Sequence, residues 1–179
     1  MFKKMIFASA ILTAAVNVAA ADTAPYLGAS LGVNVNSSTN IAGNAGVFRG
    51  VPVKVFVGYG GAWTDDFFLA AEATATLATG VISNKNDMKT TYGVGVGVLP
   101  GYMMTDSSVV FARIGYIRSR FTDVNTMSNG AQVGIGMQAT LLQHVDLRGE
   151  YDYTSYSSIG AIRSPTTDEF SLAAIYKFD

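Results

Sequence analysis

Cysteine is absent from this 179-residue chain, and histidine occurs once, at His144. The first absence excludes a disulfide framework and thiolate metal sites. The second leaves little material for a histidine-based metal centre or a nucleophile-activating base. Charge is also scarce: Asp, Glu, Lys and Arg make up 14%, where a soluble domain carries roughly 25%. Much of the surface is therefore expected not to face water. Beyond the N-terminus no apolar run reaches the roughly 20 residues that a membrane-spanning helix needs, so a membrane location would have to be achieved without helices.

What is present begins with a leader. Lys3 and Lys4 precede an apolar segment from Met5 to Val16, and Ala19-Ala20-Ala21 offers the small-x-small site of a signal peptidase. We read residues 1–21 as a cleaved signal peptide and residues 22–179 as one domain. Cleavage removes two of the 12 basic residues, leaving 10 against 13 acidic.

From there the periodicity is two. Val51, Val53, Val55, Val57 and Tyr59 share one face, and Lys54, Phe56, Gly58 and Gly60 the other. The alternation returns at Leu27 to Val33, Leu69 to Leu77, Val110 to Tyr116, Val133 to Leu141, Val145 to Tyr153 and Phe170 to Phe178. With the glycine-rich stretch around Gly93 to Gly101, this makes eight strands. Tight turns are expected at 64–66, 105–107 and 143–144, and longer polar loops near 36–46, 84–90, 124–130 and 160–168. The expected fold is all-β, an eight-stranded antiparallel up-and-down transmembrane barrel. A barrel of eight strands is narrow enough for side chains to fill.

The segment TYGVGVGVLPGYMMT, residues 91–105, looks at first like a phosphate-binding loop. Gly95-x-Gly97 is followed by Pro100 where a third glycine is required, and no helix follows. Gly134-x-Gly136 with Ala139 fits the dinucleotide spacing but lies inside a strand pattern. The valines instead share the apolar face, and the glycines leave lumen space for large groups on neighbouring strands. Asn36-Ser37-Ser38 reads as polar loop sequence rather than as a glycosylation acceptor.

The second face holds Gly, Ser, Thr, Gln and Ala with too few charges for a water-exposed surface. Lipid against the Val/Leu/Ala/Tyr face and polar groups in the lumen resolve this. Aromatics support the same arrangement, with Trp63, Phe67, Tyr102, Tyr176 and Phe178 beside the turns and Phe48, Tyr92, Phe121, Tyr153, Tyr156 and Phe170 toward the loops.

GIGMQATLLQH followed by VDLRGEYDYTSYSS resembles the penultimate hairpin of small eight-stranded outer-membrane barrels of the opacity-protein and outer-membrane-protein-A-like superfamily. The last strand, with Tyr176 and Phe178, resembles the signal read by the barrel-assembly machinery, although Asp179 follows where the family usually ends on an aromatic. The resemblance implies a bacterial outer-membrane location, with longer loops extracellular and tight turns periplasmic. It also implies contact with outer-membrane lipid and lipopolysaccharide, and suggests a host or surface ligand at the loops.

Inward positions carry Lys54, Arg113, Arg148 and Lys177 against Glu72, Asp146, Glu150 and Asp152. The resemblance implies that Arg148 reaches Glu72 with Arg113 nearby. Expected counterparts on strands four and six are missing; strand six offers Gln132 and Gln138. Two readings follow: a lumen plugged by paired charges, or a narrow gated pore of low conductance. Toward the loops lie Arg49, Lys85, Lys89, Arg118, Arg120 and Arg163 with Asp87, Asp123, Asp168 and Glu169; toward the turns lie Asp22, Asp65, Asp66, Asp106 and Asp179. Arg118 and Arg120 are candidate contacts for lipopolysaccharide phosphates. His144 falls in a tight turn at the end away from an outer-leaflet substrate, which disfavours a lipid-modifying enzyme. The expectation is a non-enzymatic barrel without cofactor, metal or nucleic-acid partner, with a structural or surface-interaction role.

Overall fold

A computed structural model describes residues 23–40, 45–85, 89–122, 125–158 and 162–178. The expected leader, Asp22 and Asp179 lie outside the described residues. Eight antiparallel strands close into a barrel: β1 (Thr23–Asn40), β2 (Ala45–Ala62), β3 (Phe67–Lys85), β4 (Thr90–Thr105), β5 (Ser108–Phe121), β6 (Thr126–Leu142), β7 (Val145–Tyr156) and β8 (Ile162–Lys177). Each strand pairs with its sequence neighbours, and β1 closes on β8 from Tyr26↔Lys177 to Asn40↔Ile162. Closure removes the sheet edges that would otherwise be unsatisfied in lipid.

The alternation sets the two surfaces. Leu31, Val57, Val94, Val96, Ile114, Tyr116, Ile135 and Leu172 all lie outward and exposed. Arg113, Asp146, Arg148, Glu150 and Asp152 lie inward and buried. That is the lipid-outside arrangement expected from the sequence. The glycines of β4 do face the lumen: a Cβ on Gly97 would stand 3.3 Å from the Arg113 guanidinium. Elsewhere glycine makes room for rings, since a Cβ on Gly28 would overlap the Phe56 ring and one on Gly136 the Phe111 ring.

Two expectations fail. The polar stretches near 36–46, 124–130 and 160–168 are mostly strand, because β1 runs to Asn40 and β6 and β8 start at Thr126 and Ile162, while at 84–90 strand β3 runs on to Lys85. Strands of 12 to 19 residues exceed the roughly 9–11 that cross the hydrocarbon, so their ends pair in water, where Ser, Thr and Asn suit the exposed ladder. Asn36 is accordingly a fully buried lumen residue bonded to Thr90 and Thr167.

The second concerns the outer aromatic belt. Phe48, Phe121 and Tyr156 point inward and are buried; Tyr92, Tyr153 and Phe170 remain outward. Parity decides it. Phe121 is an even number of residues from inward Arg113, and Tyr156 from inward Asp152, and the alternation continues unbroken to both.

Candidate functional site

The lumen is layered. At the turn end Tyr26, Phe56, Phe68, Leu99, Phe111 and Ile175 form an apolar cluster. At the loop end Phe48, Ile117, Phe121 and Tyr156 form a second, in which the Phe121 and Tyr156 rings meet edge to face at 5.2 Å. The ionic residues lie between and alongside them.

Glu72 is the hub of that ionic layer, its side chain wholly buried. Its Oε1 accepts from Arg148 at 2.5 Å and from the Tyr26 hydroxyl at 2.8 Å, and its Oε2 accepts from Arg113 at 2.5 Å. Arg113 turns its Nε to Glu150 and donates a second bond to that carboxylate at 3.1 Å. Asp152 stands farther off, 3.7 Å from the Arg113 Nε. Arg148 donates to Gln138 Oε1 at 2.7 and 3.0 Å, and Gln138 in turn donates to Asp146 at 2.6 Å. The chain ends at Lys177, 3.0 Å from Asp146. The Arg148 guanidinium also lies 5.1 Å from both the Phe56 and Phe111 ring centres, so its flat faces are covered by aromatic carbon.

The structure therefore brings together seven of the expected lumen charges, Glu72, Arg113, Asp146, Arg148, Glu150, Asp152 and Lys177. Gln138 supplies a neutral bridge between Arg148 and Asp146. The eighth, Lys54, pairs with a residue the sequence reading assigns to the rim: Glu169, at 2.5 Å, with both side chains nearly buried. Glu169 is displaced from the rim for a simple reason. It adjoins outward Phe170, so alternation turns it inward. Two small voids flank Lys54, of about 30 Å³ toward the loops and about 20 Å³ toward Arg113 and Glu150.

Outside the barrel, Arg118 and Arg120 both lie on the outward side of β5. Arg120 is held: it donates to the Tyr92 hydroxyl at 2.8 Å and to Asn125 at 2.5 Å, and it lies 5.5 Å over the Tyr92 ring. Arg118 sits between Val94 and Asn129 on the neighbouring strands. The side chains of Lys85, Asp87, Asp123 and Arg163 lie outside the described residues. Tyr176 and Phe178 are outward, their rings 5.1 Å apart. His144 occupies the β6–β7 turn, its ring 5.9 Å from Tyr176. No cluster of metal-ligating side chains occurs among the described residues.

A closed eight-stranded barrel with an apolar exterior and an ionic interior defines an integral protein of the bacterial outer membrane. Residues 6–178 match the family described as outer membrane protein beta-barrel domain, and the chain belongs to that family. Among solved structures it is similar to the Neisserial surface protein A, with 19% identity, a TM-score of 0.56, and coverage of 88% of this chain and 100% of that one. It also matches the attachment invasion locus protein of Yersinia pestis at 12% identity and a TM-score of 0.49, over 87% and 99% of the two chains. No curated protein sequence matches it.

Proposed function

We propose that this is a non-enzymatic barrel whose lumen is closed and whose work is done at its loops and rim, with the loops extracellular and the tight turns periplasmic. One observation carries the reading. The ionic chain from Lys177 through Asp146, Gln138, Arg148 and Glu72 to Arg113 and Glu150 crosses the lumen, with Arg148 packed on the Phe56 and Phe111 rings of the turn-end apolar cluster and the second cluster lying toward the loops. Voids of about 30 and 20 Å³ hold a water or two each, not a file of hydrated ions. Ion pairs of this kind are poor sources of net stability, but breaking one side is costly, about 3–5 kcal/mol.

The outer rim extends the reading. Arg118 is the phosphate ligand for lipopolysaccharide, while Arg120, clamped by Tyr92 and Asn125, stiffens the site. Tyr176 and Phe178 present the outward aromatic pair that the assembly machinery reads.

Single-channel recording on the refolded chain, residues 22–179, beside Arg148→Ala tests the closed lumen. A silent wild-type protein supports it. Reproducible steps in the wild type, altered by the substitution, would make the barrel a narrow pore with this network as its gate.

A further inference from the structure

The eight strand-to-strand seams are not equally closed at the loop end. Among the described residues, seven of them remain paired to within one residue of an outer strand end, as at Thr39↔Ala45, Val47↔Lys85 and Thr90↔Phe121. The β3–β4 ladder stops at Thr76↔Gly93, with residues 77–85 of β3 and 90–92 of β4 still to come.

The cause is visible in β3. Its register against β2 slips twice, between the pairs Val53↔Ala78 and Lys54↔Thr76 and between Arg49↔Ser83 and Gly50↔Val81. Leu77 and Ile82 are the extra residues, and both are exposed. Bulges of this kind bend a strand and end its pairing on the far edge. In place of ladder bonds, the Thr79 hydroxyl donates to the Thr91 carbonyl at 3.3 Å.

The larger void lies behind this seam. Its lining runs from Tyr92 and Thr91 in the wall, past Thr76 and Thr79, to Asn34, Lys54 and Glu169 inside. Phe48, Phe121 and Tyr156 close it axially on the loop side, and the Arg113–Glu150 layer lies on the turn side. Its chemistry is acceptor-rich. Asn34, 5% exposed, leaves its Oδ1 without a hydrogen-bond partner, and Asp152, 4% exposed, in the adjoining void holds its Oδ1 3.7 Å from the Arg113 Nε without a hydrogen bond. The lumen column sets five carboxylates, Glu72, Asp146, Glu150, Asp152 and Glu169, against four cations, Lys54, Arg113, Arg148 and Lys177. Unpaired backbone at membrane depth is tolerated where it lines a polar, water-accessible cavity.

We propose that the β3–β4 seam is a side entrance to a blind, hydroxyl-lined chamber that takes small cationic hydrogen-bond donors of ammonium size, met by Asn34 and Glu169. The entrance opens laterally in the headgroup layer on the loop side. It does not depend on which face of the membrane that side occupies, nor on whether the lumen conducts.

The absence of cysteine gives a clean test. Ser119 lines the chamber beside Gly93 at the foot of the seam, and Ala70 lies in the turn-end apolar cluster. Ser119→Cys and Ala70→Cys are placed in the otherwise natural chain, folded in lipid vesicles and checked by heat-modifiable gel mobility. Each is treated with the 2-aminoethyl and the 2-sulfonatoethyl methanethiosulfonate reagents, equal in reach and opposite in charge, and coupling is read by mass. Ser119→Cys is expected to couple with the ammonium reagent at least about tenfold faster than with the sulfonate or than Ala70→Cys does, a factor equal to ~1.4 kcal/mol. Filling the seam with Thr79→Trp should remove that advantage in a barrel that still shows folded mobility. Two outcomes overturn the proposal: a folded Ser119→Cys as unreactive as Ala70→Cys, or a rate unchanged by Thr79→Trp, which would place access along the barrel axis. Equal rates for the two reagents would leave an entrance but refute its preference for cations.

Discussion

Arg148 on β7 and Glu72 on β3 lie 76 residues apart in the chain and meet across the lumen at 2.5 Å. The same carboxylate receives Arg113 from β5 and the Tyr26 hydroxyl from β1. One glutamate thus ties four strands through the barrel interior, in addition to the ladders around its wall. Lipid supplies no competing water there, so the value of the hub lies in what its loss would leave behind: two buried guanidinium groups facing each other.

Glu72→Ala should therefore destabilise the folded barrel by about 3–5 kcal/mol. Urea unfolding in vesicles, followed through the single tryptophan, Trp63, exposed near the turn end, measures it. A loss under about 1 kcal/mol would mean that the two arginines find other partners.

Lys54 and Glu169 form a second, separate pair. Lys54→Met and Glu169→Gln should each cost stability, and the double variant should cost less than their sum, with a coupling of about 0.5–3 kcal/mol. Simple additivity would show that the contact contributes nothing.

Gly28 stands over the Phe56 ring, and the ring atoms of Phe56 are the nearest contacts an added Cβ would meet. Gly28→Ala should cost about 1–3 kcal/mol by overpacking, and Phe56→Leu should recover part of it in the double variant. Lack of recovery would place the strain in the backbone of β1.

Phe121 is fully buried against Tyr156 in the loop-end cap. Phe121→Ala should cost about 3–5 kcal/mol through the cavity it leaves. It should also raise access to the lumen from the loop end, read as faster hydrogen exchange of the β5 backbone amides nearest that end.

Arg118→Ser should lower lipopolysaccharide co-purification and flatten its salt dependence, because the lost contact is electrostatic. Arg120→Ser should act indirectly, by freeing Tyr92. Unchanged co-purification in the double variant would remove the rim from the account.

The period-two alternation is enough to name the barrel, its strand number and its lipid-facing surface. Residue parity is a local property, and Val94, Val96 and Val98 against Gly93, Gly95 and Gly97 state it within a few positions. Parity also contains the answers that the sequence reading misses. Glu169 beside outward Phe170, and Phe121 in step with Arg113, are legible as lumen residues, but their nearness to polar stretches suggests rim and belt instead. Strand ends are harder to see, because a ladder that continues in water needs Ser, Thr and Asn, the same residues that make loops.

Closure decided the rest. Alternation along each strand determines which residues turn inward, while the register of eight strands determines which of them share a level. Only that register brings Arg148 to Glu72, sets Gln138 between Arg148 and Asp146, and gives Lys54 to Glu169. The slips in β3 that open the β3–β4 seam arise in the same way. Closing the barrel forces every strand to satisfy two neighbours at once, and the surplus residues are pushed out where that demand cannot be met.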